Sequence, residues 1–294
     1  MTYATTSEML RSLFRANRRR ILHTYALTVL ENLFNLLYPF ATGLAINGLL
    51  GGDFSGLALF AGIWLAHAAT GVWRQRYDTR TFTHIYRDLA TRVVLGQRSR
   101  GVPASQIVAR SALARELVDF LERDVPLGIT ALFGFFGSLV MLFLYDALTG
   151  LVCLALLAPL VVLNRAFARR ALALNKGLND QLEREVDVLT ERRQAAVREH
   201  YGLLADWRVR LSDAEATTWG LLEVFIVGLV AFAIVRAVSL PNVEAGTIYS
   251  IVAYSWDFVA SLGNVPFLVQ QLARLRDIGD RVASEGGTTE DVLR

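Results

Sequence analysis

The 25 residues from Ile248 to Leu272 constrain the fold more than any other stretch of this chain. They are mostly apolar, contain no Lys or Arg, and carry one acid, Asp257, near their middle. A helix of this length crosses a hydrocarbon core of about 30 Å at about 1.5 Å per residue. Because an acid at mid-membrane costs roughly 2.5 to 3.5 kcal/mol, such a side chain turns toward a bundle interior or a water-filled pathway. The stretch therefore predicts a membrane helix with one polar face.

Two apolar stretches carry their polar side chains in rows. Within each row the residues follow one another at offsets of three or four, which places them along one face of a helix. Such a face favours the lining of a pathway, and the alternative is that its polar groups bond to neighbouring helices. The rows consist of Glu31, Asn35, Tyr38 and Thr42 in one stretch and of Ser250, Tyr254, Asp257, Ser261 and Asn264 in the other.

The whole chain is too apolar for an ordinary soluble domain. Of its 294 residues 53% are hydrophobic, and the mean hydropathy is +0.38. This composition and length predict an all-α polytopic membrane protein with several spans. Between the spans lie two long polar segments, 74–126 and 164–216, whose apolar residues recur at helical spacing. The six predicted spans are 21–45, 56–73, 127–145, 147–163, 217–235 and 248–272.

The arginines predict the orientation of the spans. Of the arginines, only Arg236 lies beside the short connections that contain Asp53, Asp146 and Glu244. By the positive-inside tendency these connections face outward, and both termini and both long segments face the cytoplasm of a bacterial-type inner membrane. We expect residues 1–20 to include a surface helix and residues 273–294 to form a cytoplasmic tail. The net charge of +3 then reflects cytoplasmic loops, so we expect a lipid bilayer as partner and no nucleic acid.

The layout of surface helix, six spans, short outer connections and two long intracellular helical hairpins resembles the transmembrane domain of exporter-type ABC transporters. The run Tyr38-Pro39-Phe40, followed by residues 43–49, is similar to the proline, glycine and IDxL pattern that closes the first helix of that family. The segment from Arg80 to Asp124 is similar to the first intracellular loop of the family. The resemblance covers nearly the whole chain. It implies a half-transporter that dimerises, most simply with itself, and moves its substrate by alternating access.

The energy source has two alternatives. The sequence contains no G-x-x-x-x-G-K-[ST] motif, and its single lysine, Lys176, follows no glycine-rich loop, so we expect no ATP hydrolysis by this chain and no enzyme activity. A separately encoded ATP-binding subunit is one alternative. The other is a proton gradient, as in ATPase-less proton-coupled peptide permeases, to which this chain is similar in design. The region from Asp187 to Asp213 lacks the small-residue turn that docks onto an ATPase in the family, which favours the proton gradient.

Three ionisable residues are predicted to lie at one depth. Glu31, His67 and Asp257 each follow the start of a predicted span by about ten residues, or about 15 Å. A buried acid beside a histidine can exchange a proton near neutral pH, so the three could form a proton relay. Alternatively, one acid pairs with His67 to hold two helices together. Glu223, nearer the cytoplasmic end of the fifth span, joins the list of candidate pathway residues.

The remaining features predict structure more than chemistry. Asp146, directly before the fourth predicted span, is predicted to cap the start of that helix. Cys153 lies in an apolar segment and is expected in the core, and the four histidines lie in separate segments, so we expect neither a metal site nor a cofactor. Gly134 and Gly137 favour close helix packing, and Pro266 favours a kink in the sixth span. The polar rows suit a polar or amphipathic substrate, such as a peptide or a siderophore-type metal chelate. A non-transporting accessory or sensor protein is the competing functional class.

Overall fold

The computed structural model describes residues 12–99, 101–190 and 193–263. All its regular elements in these ranges are helices, which confirms the predicted all-α class. Most of the predicted surface helix, the tail, and the end of the sixth predicted span with Asn264 and Pro266 lie outside the described residues.

From Arg18 onward nine α-helices follow one another along the described chain, after a short helical stretch at residues 12–16. Two π-helical turns, Phe120–Asp124 and Phe133–Gly137, connect α3, α4 and α5 without a loop. A proline, Pro39, lies inside the first helix. The helices are α1 Arg18–Leu50, α2 Ser55–Arg98, α3 Ala104–Asp119, α4 Val125–Leu132, α5 Ser138–Tyr145, α6 Ala147–Glu183, α7 Glu185–Thr190, α8 Gln194–Val238 and α9 Ala245–Leu262.

The structure contains membrane-spanning helices. Within the described ranges, five helical runs are long and apolar enough to cross a bilayer, namely Arg18–Leu50, Ser55–Arg98, Ala114–Tyr145, Ala147–Thr190 and Gln194–Val238. The sixth predicted span begins in α9, which is described for 18 residues. α2 has 44 residues and α8 has 45, so each extends about 66 Å, more than twice the hydrocarbon thickness. Both helices therefore continue well beyond a bilayer.

Two compact units divide the chain. The first unit comprises residues 1–141 and 241–294. Within it α1 packs against α2, α4 and α9. One hydrophobic core cluster of this unit joins Ile21 of α1 to Phe82 and Ile85 of α2 and to Val118 of α3. α1 is thus the helix on which the other elements of the first unit assemble.

The second unit, residues 142–240, is a hairpin of the long helices α6 and α8. Near its loop the Gln181 side chain bonds to Nδ1 of His200 at 2.9 Å. At the opposite end the Arg236 guanidinium donates to both carboxylate oxygens of Asp146, at 3.0 and 3.2 Å. Asp146 also accepts the Thr149 N–H at 3.0 Å, which confirms the predicted cap at the start of α6. Arg236 is therefore fixed to Asp146.

Candidate functional site

A cluster of charged side chains lies between α1 and α2. The Glu31 carboxylate forms an ion pair with Nε of Arg74, and its Oε1 lies 3.8 Å from Nε2 of His67. Arg74 also donates to Asp78 at 3.1 Å, one turn further along α2. All four side chains are at most one quarter exposed. We call Glu31, Tyr38, His67, Arg74 and Asp78 the Glu31 cluster.

His67 is held from both of its ring nitrogens. Nδ1 is hydrogen-bonded to the Tyr38 hydroxyl, and Nε2 faces Glu31. The Tyr38 ring stacks on Trp64 with 5.0 Å between ring centroids, and Phe34 stacks on the imidazole at 6.0 Å. These contacts fix the orientation of the imidazole, so its charge state directly affects Glu31 and Tyr38.

α2 leaves space for the Glu31 carboxylate at Gly71. A Cβ atom at this position would lie 3.2 Å from Oε1 of Glu31, tighter than an ordinary contact.

The cluster contains two acids and one arginine besides His67. Its net charge is therefore −1 with a neutral imidazole and zero with a protonated one, so one proton neutralises the cluster.

The polar row of α9 lies against α1. Ser250 Oγ donates to the backbone oxygen of Pro39 at 2.8 Å, and the Tyr254 hydroxyl donates to that of Leu36 at 2.7 Å. Ser261 Oγ donates to Phe258 within α9 at 2.6 Å. Ser250, Tyr254 and Ser261 are all buried. In the first unit Ser250 and Tyr254 thus form part of the contact with α1, whereas the hydrogen bond of Ser261 lies within α9.

Close approach of the two backbones allows this contact. A Cβ atom on Gly246 would lie 1.9 Å from the carbonyl oxygen of Gly43, so a side chain at Gly246 does not fit. The Asn47 side chain accepts the Gly246 N–H at 2.6 Å and donates to the Glu244 carboxylate. Asn47 therefore caps the first turn of α9 from α1.

The other predicted site residues differ in exposure. Asp257 and Asn35 are exposed, and Thr42 and Glu223 are half-buried. Within the described ranges, no hydrogen bond or ion pair joins Asp257 to Glu31 or His67. The structure thus brings together two of the three residues that were predicted to share a depth.

Sequence reasoning missed Arg74 and Asp78, which it treated as residues of the polar segment after the second span. Their signal was present, because His67, Gly71, Arg74 and Asp78 follow one another at offsets of four, three and four on one face of α2. It also missed Asn47, whose role depends on a helix nearly 200 positions later in the chain. No local pattern identifies such a partner.

Among the residues that the structure describes, no group of three His, Cys, Asp or Glu side chains could hold a metal ion.

Comparison with protein families gives a match over most of the chain. Residues 10–246 match the family described as the ABC transporter transmembrane region. This range contains the Glu31 cluster and ends at the start of α9. Among curated proteins no match is found.

Proposed function

Because this chain belongs to the family of ABC transporter transmembrane regions, we propose that it forms the translocation pathway of a membrane transporter that works as a dimer by alternating access. The observation that carries the proposal is the Glu31 cluster. Charged groups inside apolar helices are expensive, and they mark substrate or ion pathways more often than simple anchors. A non-transporting accessory protein would gain little from such a cluster.

The proposed substrate is a polar or amphipathic small molecule or peptide, including a siderophore-type chelate. Exposed Asn35 and Asp257 offer hydrogen bonds and a negative charge. The aromatic group of Tyr38, Phe60 and Trp64 beside His67 offers apolar surface. Ligands of this class should raise the thermal unfolding midpoint of the purified protein. If only apolar lipids raise this midpoint, the proposal of a polar substrate is wrong.

Proton coupling through His67 is the first proposed energy source. Protonation of the imidazole neutralises the cluster and strengthens the attraction between His67 and Glu31 across the α1–α2 contact. Deprotonation weakens this attraction. An inward proton gradient could in this way change the packing of α1 on α2 once per cycle. Asp257, which is exposed, would be a further acid on the pathway.

A separately encoded ATP-binding subunit is the second proposed energy source. Family membership supports it, and so does the ion pair between Arg74 and Glu31, which gives the carboxylate a permanent cationic partner. The long extensions of α2 and α8 beyond a bilayer offer contact surface for a soluble subunit. We propose that this chain itself hydrolyses no ATP under either scheme.

Transport in proteoliposomes distinguishes the two schemes. We expect proton-dependent flux in the parent protein and at least a tenfold loss in His67→Gln and Glu31→Gln, with a smaller loss in Asp257→Asn. The matched control is Asp180→Asn, an exposed acid of the second unit, which should transport like the parent.

Unchanged flux in all three test variants would exclude the proton scheme. Flux that needs no gradient but requires an added ATPase would support the second scheme, and no flux under either condition would favour the accessory role.

The proposed assembly is a homodimer in a bacterial-type inner membrane with both termini in the cytoplasm. The Arg distribution supports this orientation. One chain has a mass of 32.6 kDa, so light scattering of the purified protein, corrected for detergent, should give twice that value. A single-chain mass in several detergents and in nanodiscs would argue against the dimer.

A further inference from the structure

α2 carries a groove on the face opposite the Glu31 cluster. It is shallow and open along the side of the helix, with a volume of about 650 Å³, and all seven lining residues belong to α2. Small and aliphatic side chains, Ala68, Ala69 and Val72, form one end, and Arg76 and Arg80 form the other. Along the helix Trp73 lies between the two ends, and Tyr77 lies between the two arginines.

The order of these residues matches the profile of a membrane interface. Aliphatic side chains belong in the hydrocarbon, Trp and Tyr collect at the headgroup level, and arginines lie beyond. The His23 ring of α1 contacts Trp73 at 5.6 Å and Tyr77 at 4.6 Å between ring centroids. Both aromatic rings are thus supported from a second helix, and the groove has a defined wall at the predicted boundary of the bilayer.

The two arginines of the groove differ from their neighbour Arg74. Arg74 forms ion pairs with Glu31 and Asp78. Arg76 and Arg80 are exposed, and neither has an ion pair or a side-chain hydrogen bond to any described residue. They are four positions apart, so their side chains emerge about 5–6 Å from each other on one face of the helix. Two guanidinium groups at this spacing suit a phosphate, which each can bind through paired hydrogen bonds.

We propose that this groove binds an anionic phospholipid, with its phosphate between Arg76 and Arg80 and its glycerol and upper acyl chains against Trp73 and Val72. The apolar end decides between a lipid and a free phosphate ester. A free phosphate ester would contact the two arginines only and would leave the aliphatic end of the groove in contact with water. A lipid fills both ends, so it is the occupant that the chemistry of the groove favours.

Lipid titration of the full chain tests the charge requirement. Native mass spectrometry in a neutral detergent measures the dissociation constant for phosphatidylglycerol. Loss of each guanidinium–phosphate contact should weaken binding roughly fivefold or more, so Arg76→Gln with Arg80→Gln should weaken binding by about 25-fold or more, and by clearly more than an equal loss of charge elsewhere on the chain. The control is Arg169→Gln with Arg170→Gln, two exposed arginines that follow the fourth predicted span and carry the same charge change. An equal loss in the two double variants would overturn the site, because it would show general electrostatics only.

A second readout locates the lipid through the fluorescence of Trp73. Phosphatidylglycerol brominated on its upper acyl chains should quench the fluorescence of the parent more than that of Trp73→Phe. When both proteins also carry Arg76→Gln and Arg80→Gln, this difference in quenching should vanish. Glycerol 3-phosphate at the same concentration should not compete. Competition by glycerol 3-phosphate, or equal quenching of parent and Trp73→Phe, would overturn the proposal.

Discussion

In the first unit, Arg74 holds together the charged side chains of the α1–α2 contact. It is the cation for both Glu31 and Asp78, and the three side chains are between 10% and 25% exposed. Removal of one member of a buried ion pair leaves an uncompensated charge, which costs more than the pair itself contributes. The stability of the α1–α2 contact should therefore depend on the pair as a unit.

A double-mutant cycle measures this dependence. Arg74→Gln should destabilise the protein by about 2 kcal/mol, below the value for a fully buried pair because the cluster is partly exposed. Glu31→Gln in the Arg74→Gln background should cost less than in the parent, with a coupling energy of about 1 kcal/mol or more. Chemical unfolding in detergent provides the free energies. The exposed pair of Arg87 and Asp88 is the control, and strictly additive effects at Glu31 and Arg74 would contradict a functional pair.

Asp146 should make stability depend on pH. Burial raises the pKa of its carboxyl, but the hydrogen bonds from Arg236 and Thr149 lower it by more, so the pKa lies below the ordinary value for Asp. A carboxyl with a depressed pKa stabilises the fold above its unfolded pKa of about 3.9 and loses this contribution as the pH falls through the folded pKa. At about pH 6 we expect Asp146→Asn to lower the unfolding midpoint by about 2–4 °C. This difference from the parent should shrink as the pH falls below the unfolded pKa of about 3.9 and through the lower folded pKa.

Thermal unfolding at several pH values checks this expectation. Asp180→Asn, at an exposed position, should follow the parent at every pH. A difference between Asp146→Asn and the parent that persists undiminished into strong acid would mean that the ion pair with Arg236 is not its source.

At the scale of elements, the crossing of α1 and α9 is the closest contact. Gly43 and Gly246 allow the two backbones to meet, and hydrogen bonds from Ser250 and Tyr254 to the α1 backbone lie on the same face. In membranes, small residues drive helix association because they permit this approach. The polar row of α9 therefore contributes to helix packing through two of its members, and only Asp257 among the described members is exposed.

A substitution at Gly246 should separate the two helices. Gly246→Ala places a methyl group against the Gly43 carbonyl and should destabilise the protein by about 1–3 kcal/mol, measured by chemical unfolding in detergent. Gly62→Ala is the matched control, since a Cβ atom at Gly62 in α2 meets nothing within 4 Å. Alanine there should be neutral or stabilise by up to about 1 kcal/mol through helix propensity. Equal stability of the two variants would contradict the close crossing.

At the scale of the whole molecule, the described chain consists of two units with different internal support. The first unit assembles three helices on α1. The second unit is one hairpin, closed by Asp146 and Arg236 at one end and by Gln181 and His200 at the other. The single cysteine, Cys153, is fully buried in this hairpin, as predicted, and offers a probe of its integrity.

Thiol labelling uses this probe. A fluorescent maleimide should react with Cys153 at least about 100-fold more slowly in the native protein than with the exposed cysteine of a Ser99→Cys variant, because the buried thiol reacts only after opening. In denaturant the two thiols should react at similar rates. Rapid labelling of Cys153 in the native protein would show that the hairpin opens readily by itself.

The sequence alone determined the all-helical membrane fold, the cap at Asp146 and the burial of Cys153. These features depend on local hydropathy, segment length and short-range hydrogen bonds, and lipid forces apolar segments of this length to satisfy their backbone as helices. Periodicity also identified one face of α1 and one of α9 as polar. What those faces meet was decided only by the tertiary structure. Glu31 pairs with Arg74 and His67, whereas Ser250 and Tyr254 bond to the α1 backbone, because helical spacing defines the direction of a side chain but not the helix that packs against it.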